Sequence, residues 1–148
     1  MIVGIGTDIV ALARIRAALD RHGERFVRHV LAPAEWQQWG ARFATSGRDG
    51  SAWLARRWAA KEAFAKACGT GVRAPLTLDG IGVGHDGEGR PCFELSALIA
   101  DFVAARGVQR MQLSLSDERD YAVAFVLFEG DVAAPVPSPT PPFRPPLR

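Results

Sequence analysis

Residues 108–129 place the strongest constraint on the fold, because they have the pattern of a β-hairpin. Within residues 108–116, apolar and polar side chains alternate from Met111 to Ser116, and a polar turn at 117–120 separates them from a second apolar run at 121–129. Alternation of this kind is typical of strands with one buried face and one exposed face. The sequence therefore predicts an antiparallel sheet whose buried face is covered by other elements.

The first half of the chain supplies helices for that cover. We expect a strand at 2–6, then a helix that begins at a cap on Thr7 or Asp8 and runs to about Arg21. Further helices are predicted at 24–30, from Pro33 onward, at about 51–68, and from Ser96 to about Arg106. Two more strands are predicted at 76–84 and 91–95. The fold class is α+β, an antiparallel sheet packed against helices.

The proline content divides the chain into two parts. The 148 residues are enough for one domain, and seven of the ten prolines lie after Asp131. We predict a folded domain at 1–130 and a proline-rich tail at 131–148 that is disordered or polyproline-like and lies outside the fold.

Composition argues against a membrane protein and against a secreted one. No run reaches the roughly 18–20 apolar residues that a membrane-spanning helix needs. Residues 1–6 have the pattern of a strand and lack the basic start of a signal peptide. Cys68 and Cys92 form neither a disulfide framework nor a zinc-binding spacing. We therefore expect a cytoplasmic protein.

The charge distribution points to an acidic partner. The net charge is only +2, and few aromatic residues are interspersed with the arginines, so nucleic-acid binding is not expected. The arginines are instead concentrated near the N-terminus, which indicates a basic face. They stand at positions 14, 16, 21, 25 and 28.

The segment Trp58–Gly71 contains the most distinctive group of charges. Glu62 and Lys66 are four residues apart and share a helix face, while Lys61 lies about 100° round the helix from Glu62. One carboxylate and two lysines near a helix end would suit a metal-bound, phosphorylated ligand. An ordinary solvated ion pair explains the spacing equally well, and a helix stop would explain Gly69.

Asp8 is the second candidate carboxylate. Its position between a strand and a helix is consistent with a helix cap, but Asp8 and Glu62 together would also suit Mg²⁺, which prefers oxygen ligands. The preceding Gly4-Ile-Gly6 offers the first two glycines of a dinucleotide-binding fingerprint. Ile9 replaces the third glycine and no regular βαβ units follow, so we reject that fold.

Three blocks of the sequence resemble the holo-acyl-carrier-protein synthases, the small class of phosphopantetheinyl transferases. The resemblance runs from residue 1 to about 129, and a turn at residues 86–91 also matches. The blocks are Gly4-Ile-Gly-Thr-Asp8-Ile-Val-Ala-Leu-Ala-Arg14-Ile, Arg57-Trp58-Ala-Ala-Lys61-Glu62-Ala-Phe-Ala-Lys66-Ala-Cys-Gly69-Thr70-Gly71 and Leu113-Ser-Leu-Ser116-Asp117-Glu-Arg-Asp-Tyr121-Ala-Val-Ala124.

This resemblance implies a reaction and an assembly. Coenzyme A donates its 4′-phosphopantetheine arm to a serine of an apo acyl carrier protein, and adenosine 3′,5′-bisphosphate is the other product. The family uses Mg²⁺, serves fatty acid biosynthesis, and forms trimers with active sites between subunits. A non-catalytic module of the same fold that binds a nucleotide or an acidic protein is the alternative.

The resemblance also implies roles for individual residues. Asp8 and Glu62 are expected to hold Mg²⁺, and Glu62 is expected to take the serine proton, directly or through a metal-bound water. Arg14, with Arg21 as a weaker addition, is expected to contact the carrier protein. The remaining candidates are expected to contact coenzyme A: Lys61, Lys66, the Gly69-Thr70-Gly71 turn, Ser116, and Arg48, Arg56 and Arg57 at its 3′-phosphate.

Two positions depart from the common pattern of the family. Trp58 replaces a phenylalanine, which is a packing change. Asp117 replaces a histidine that is thought to contact the ligand. Because a carboxylate would repel phosphate, we expect Asp117 to turn away or to have another role, and Arg119 is the candidate to replace the lost contact. His22, His29 and His85 match no site of the family and are expected at the surface or in packing.

Overall fold

The computed structural model describes residues 1–131 and contains two antiparallel sheets in that range. The larger sheet has the strand order β1–β5–β4, and the smaller sheet is the β2–β3 hairpin. The predicted α+β class is therefore confirmed. The proline-rich tail was predicted for 131–148, of which 132–148 lie outside the described residues. The strands are β1 Ile2–Ala11, β2 Ile81–His85, β3 Pro91–Leu95, β4 Val108–Asp117 and β5 Tyr121–Gly130.

Helices pack on one face of the larger sheet, and the longest of them, α4, lies at the centre of the core. Within residues 1–131, no helix is long and apolar enough to cross a membrane. The helices are α1 Leu12–His22, α2 Glu24–Val30, α3 Pro33–Trp39, a π-helix Gly40–Ala44, α4 Ser51–Ala67, a 3₁₀ turn Leu78–Gly80 and α5 Ala97–Ala104.

The β4–β5 hairpin confirms the predicted alternation. Met111, Leu113 and Leu115 pack against the core, whereas the side chains between them are exposed. On β5 the core-facing positions include Val126 and Phe128, and the Phe128 ring meets the Phe64 ring of α4 edge-on at 5.1 Å between centroids. Burial of this face against α4 fixes the register of the hairpin, because a slip of one residue would expose every apolar side chain.

The predicted helix start at Thr7 or Asp8 is wrong. Strand β1 continues to Ala11, and α1 begins at Leu12. The antiparallel ladder with β5 runs on through Ala11↔Tyr121, and the Leu12 N–H then bonds to the Asp120 carbonyl at 2.9 Å. Hydrogen bonds to β5 thus satisfy the backbone N–H and C=O groups of this segment, so no helix cap is needed there.

The strand predicted at 76–84 is also shorter than expected. Leu76 and Leu78 are buried, but residues 78–80 form a 3₁₀ turn and the strand begins at Ile81. Five residues of β2 pair with β3, from Ile81↔Leu95 to His85↔Pro91. Buried and exposed side chains therefore alternate in residues 76–80 as they would in a strand, although these residues pair with no strand in the described chain.

Candidate functional site

Strand β1 and helix α4 approach so closely that only glycine fits at two positions. A Cβ atom at Gly4 would lie 2.5 Å from the Ala67 carbonyl oxygen, and one at Gly6 would overlap the Ala63 carbonyl oxygen. The same face of β1 presents Asp8, because side chains alternate along a strand. The two glycines thus explain the dinucleotide-like start of the chain and bring Asp8 against α4.

Asp8 and Lys66 form an ion pair between β1 and the last turn of α4. The Lys66 ammonium donates hydrogen bonds to Asp8 Oδ1 at 2.9 Å and to the Thr7 carbonyl at 3.0 Å. The Lys66 side chain is 51% exposed, whereas that of Asp8 is 14% exposed. Lys66 is therefore the partner of Asp8 in this structure, and the Glu62–Lys66 pair that the spacing allowed is not the contact that forms.

Glu62 belongs to the same charged cluster. Partial burial raises the pKa of its carboxyl group above the ordinary 4.5, and the Asp8 carboxylate raises it further. The charges of Lys66 and Arg14 act in the opposite direction. We call Asp8, Glu62 and Lys66 the carboxylate cluster.

The carboxylate cluster fits a Mg²⁺ ion by its donor chemistry. It offers two carboxylates on rigid elements, Asp8 within β1 and Glu62 within α4, and a divalent cation would relieve the repulsion between them. Among residues 1–131, no group of three or more His, Cys, Asp or Glu side chains is placed to enclose a metal. A Mg²⁺ ion here would thus complete its shell with waters and substrate phosphates, as this ion commonly does.

Lys61 is not available to a phosphate, which corrects the prediction for this residue. Its side chain is fully buried, and its ammonium donates to the Val30 carbonyl at 2.5 Å, Glu35 Oε1 at 2.6 Å and the Leu78 carbonyl at 3.0 Å. Burial lowers the Lys61 pKa, and Glu35 opposes that effect. Lys61 therefore joins α4 to α2, α3 and the 3₁₀ turn.

Arg57 shares the same carboxylate. Its Nε lies 3.1 Å from Glu35 Oε2, and its guanidinium lies 3.4 Å from the centre of the Trp53 ring. Glu35 also accepts a hydrogen bond from the Ala32 N–H at 2.9 Å at the start of α3. We call Glu35, Arg57 and Lys61 the buried network.

One edge of Arg57 borders a positively charged recess of about 270 Å³. We call it the basic recess. Sequence reasoning missed two of its members, Arg42 on the π-helix and His85 at the end of β2, because they are distant in sequence and match no motif. Its walls are formed chiefly by Arg42, Arg56, Arg57 and His85, with Val83 and Leu115 as apolar lining.

Asp117 pairs with Arg56, one of the residues that line this recess. Its Oδ1 lies 3.1 Å from Arg56 Nη1, and the side chains are 37% and 29% exposed. Ser116 is exposed beside it at the end of β4. Arg48, predicted as a phosphate contact, is exposed in the loop before α4, and it is not among the residues that line the recess.

The Gly69-Thr70-Gly71 turn ends α4 in a conformation that favours glycine. Gly69 and Gly71 have φ values of 75° and 69°, and the space where their side chains would lie is open. The Gly71 N–H bonds back to the Ala65 carbonyl at 3.3 Å. The turn thus exposes backbone close to Lys66.

Arg14 and Arg21 lie exposed on α1 and line one shallow depression together with His22. Arg16 points elsewhere and pairs with Asp49 at 3.3 Å. Arg28 is held on α2 by Glu24 at 2.8 Å. The arginines that are close together in the sequence therefore do not form one surface. Arg14 is the one among them whose positive charge also lowers the pKa of Glu62.

Comparison with known proteins gives matches along most of the chain. A model of the 4′-phosphopantetheinyl transferase superfamily matches residues 4–126. A holo-(acyl-carrier-protein) synthase from Laribacter hongkongensis is 55% identical over 130 residues, which cover 88% of this chain and 100% of that relative.

Solved structures agree with the sequence matches. The crystal structure of a holo-(acyl-carrier-protein) synthase from Neisseria meningitidis has a TM-score of 0.81 and 41% identity, covering 87% of this chain and 99% of that chain. A Bacillus anthracis synthase, in complex with CoA (3′,5′-ADP), has a TM-score of 0.68 and 33% identity, covering 88% and 99%.

Proposed function

Because this chain belongs to the 4′-phosphopantetheinyl transferase superfamily, we propose that it transfers the phosphopantetheine arm of coenzyme A to a serine of an apo acyl carrier protein. The products are the holo carrier protein and adenosine 3′,5′-bisphosphate. The carboxylate cluster is the observation that carries this proposal, since it joins two carboxylates and a lysine beside an open glycine turn.

The chemistry requires a base for the serine hydroxyl. The serine oxygen forms a bond to the phosphorus that bears the pantetheine, and the bond from that phosphorus to the bridging pyrophosphate oxygen breaks. The electron pair of the broken bond stays with adenosine 3′,5′-bisphosphate, and Glu62 takes the serine proton. The raised pKa of Glu62 makes its carboxylate a stronger base for this step.

Asp8 and Glu62 are the residues that would hold Mg²⁺. When bound, the ion neutralises negative charge on the pyrophosphate as the bond breaks. The half-exposed ammonium of Lys66 contacts a phosphate oxygen, and the backbone of Gly69, Thr70 and Gly71 approaches the ligand from the end of α4. Ser116, exposed at the end of β4, and the edge of Arg57 that borders the basic recess also contact coenzyme A.

Arg14 and Arg21 form the contact with the carrier protein, whose acidic surface would complement the basic face of α1. We expect Arg14→Ala to raise the KM for carrier protein without weakening coenzyme A binding. Arg16→Ala is the matched control, because Arg16 is engaged with Asp49. An unchanged KM for carrier protein in Arg14→Ala would contradict the docking role.

The outer face of the larger sheet favours an assembly of subunits. Ile5 and Ile9 are 60% and 61% exposed on β1, and Tyr121 and Phe125 are 52% and 41% exposed on β5. Apolar side chains in this arrangement mark an interaction surface. We propose a homotrimer with active sites between subunits. Transfer activity per subunit should then fall on dilution, and a constant specific activity in a monomer would contradict the assembly.

We place the reaction in the cytoplasm and in fatty acid biosynthesis, where a carrier protein needs its phosphopantetheine arm.

The direct test mixes the protein with apo carrier protein, coenzyme A and Mg²⁺, and follows the mass of the carrier. The proposal predicts a gain of one phosphopantetheine arm. If coenzyme A binds but no gain occurs with several carriers, the chain is instead a non-catalytic binding module of this fold.

A further inference from the structure

The basic recess contains more positive charge than its neighbours balance. Arg42, Arg56 and Arg57 line it together, and Glu35 is already engaged by Arg57 and Lys61. The pKa of Arg57 is lowered to about 10, first by burial and then by the repulsion of Arg56 and Arg42, although Glu35 opposes the change. Arg56 and Arg42 are therefore both close enough to Arg57 to repel its guanidinium.

Asp117 is the carboxylate that holds one of these arginines in place. It reaches across from the end of β4 and contacts Arg56 Nη1 at 3.1 Å. Without this contact, repulsion from Arg42 and Arg57 would favour rotation of the long Arg56 side chain into solvent. The pair is also fairly open, so an anionic ligand can approach the Arg56 nitrogens that Asp117 leaves free.

We propose that Asp117 is a positioning residue: it holds the Arg56 guanidinium at the basic recess, where Arg56 binds the 3′-phosphate of coenzyme A. This inference rests on the proposed function, since it names the ligand of that reaction. Alone, the Asp117 carboxylate would repel a phosphate. In this arrangement it aligns the Arg56 guanidinium, which attracts the phosphate.

The position of the recess indicates which phosphate is bound. Arg56 precedes Glu62 by six residues, which is about 9 Å along a helix axis. Asp117 lies on β4 and Asp8 on β1, the two outer strands of the larger sheet, and these strands are about 10 Å apart. The carboxylate cluster serves the pyrophosphate in the proposed function. The recess is a second, separate cationic site, and coenzyme A has one further phosphate.

Calorimetric titration with coenzyme A and with dephospho-coenzyme A, which lacks the 3′-phosphate, tests this inference. Arg56→Ala and Asp117→Asn should each weaken coenzyme A binding by roughly tenfold, because a charge-assisted hydrogen bond is lost or misplaced. The double variant should bind no more weakly than Arg56→Ala alone. Binding of dephospho-coenzyme A should be the same in all of these proteins.

Several results would overturn the inference. Tighter binding of coenzyme A to Asp117→Asn would show that the carboxylate only repels the ligand. Additive losses in the double variant would show that the residues act independently. An equal loss for both ligands would remove the 3′-phosphate assignment. Arg56→Lys should restore part of the affinity, and Arg110→Ala, an exposed arginine on β4, is the control that should change nothing.

These measurements distinguish a failure of this inference from a failure of the proposed function. If the unchanged protein neither binds coenzyme A nor modifies a carrier, the proposed function fails. If it does both and Asp117→Asn behaves like the unchanged protein with both ligands, only the inference fails. Thermal unfolding of each variant checks that a change in binding is not a loss of fold.

Discussion

Helix α4 carries two groups of charges that differ in burial and in how completely they are satisfied. In the buried network, Lys61 uses its three N–H donors on three acceptors and Glu35 Oε1 accepts two hydrogen bonds, while Glu35 Oε2 and Arg57 Nε form an ion pair without a hydrogen bond. In the carboxylate cluster, two carboxylates share one lysine and the pKa of Glu62 is raised. A charged side chain whose donors or acceptors are already used has little capacity left to bind a ligand. The carboxylate cluster, in contrast, has more negative charge than positive charge.

The contrast shows that neighbours in sequence can have opposite roles. Lys61 and Glu62 are adjacent, yet one faces the core and the other faces the site. We therefore expect changes in the network to act on stability and changes in the cluster to act on transfer.

The largest effect is expected on transfer in Glu62→Gln. Removal of the base should lower kcat by roughly 10²–10⁴-fold while the protein stays folded. The measurement is the rate of carrier modification at saturating substrates, with thermal unfolding alongside. Asp101→Asn, which removes an exposed carboxylate from α5, is the control and should leave kcat unchanged. A Glu62→Gln protein with full activity would contradict the assignment of the base.

The next largest effect is expected on stability in Lys61→Met. This change leaves Glu35 with one partner fewer in the core, and breaking a buried ion pair costs about 3–5 kcal/mol. Chemical denaturation measures the free energy of unfolding. Lys66→Met, on the exposed side of the same helix, should cost less than about 1 kcal/mol. Equal losses for the two lysines would remove the distinction between network and cluster.

Gly6→Ala should affect both properties at once, because it forces β1 away from α4. The added methyl group overlaps the Ala63 carbonyl, and overpacking of this kind costs about 1–3 kcal/mol. Displacement of Asp8 should lower transfer as well. Gly87→Ala is the matched control, since open space surrounds that position. An unchanged protein after Gly6→Ala would mean that the close approach does not position Asp8.

The smallest effect concerns the pH dependence of stability without Mg²⁺. Because the folded-state pKa of Glu62 is raised above 4.5, ionisation of this group opposes folding above that raised pKa. Glu62→Gln should therefore stabilise the protein at pH 7, by less than about 1 kcal/mol for so open a group. The gain should shrink as the pH falls through the raised pKa and vanish below about pH 4.5, where Glu62 is protonated in both states. A variant less stable than the unchanged protein at pH 7 would contradict this sign.

Local pattern predicted much of the fold, since it arises from burial on one face. The β4–β5 hairpin and helices α2, α4 and α5 lie where alternation and capping residues placed them. Strand β1 was predicted too short because its extension through Asp8 depends on pairing with β5, more than a hundred residues away. Such pairing leaves no local signal at Asp8.

The site was predictable only in part for a related reason. Most of the circumference of α4 is buried, so its apolar pattern does not show that Lys61 faces inward. The family blocks drew attention to Asp8, Glu62 and Lys66, and the structure places those three together. Arg42 and His85 could not be found, because the recess forms only when the π-helix and β2 meet α4.

The Mg²⁺ requirement of transfer tests the central distinction most directly. Activity should be titrated with Mg²⁺ in the unchanged protein, in Asp8→Asn and in the control Asp101→Asn. If the carboxylate cluster holds the ion, Asp8→Asn needs at least about tenfold more Mg²⁺ for half-maximal transfer, equivalent to about 1.4 kcal/mol, and Asp101→Asn needs no more than the unchanged protein. An Asp8→Asn protein with the same Mg²⁺ requirement as the unchanged protein would contradict the account.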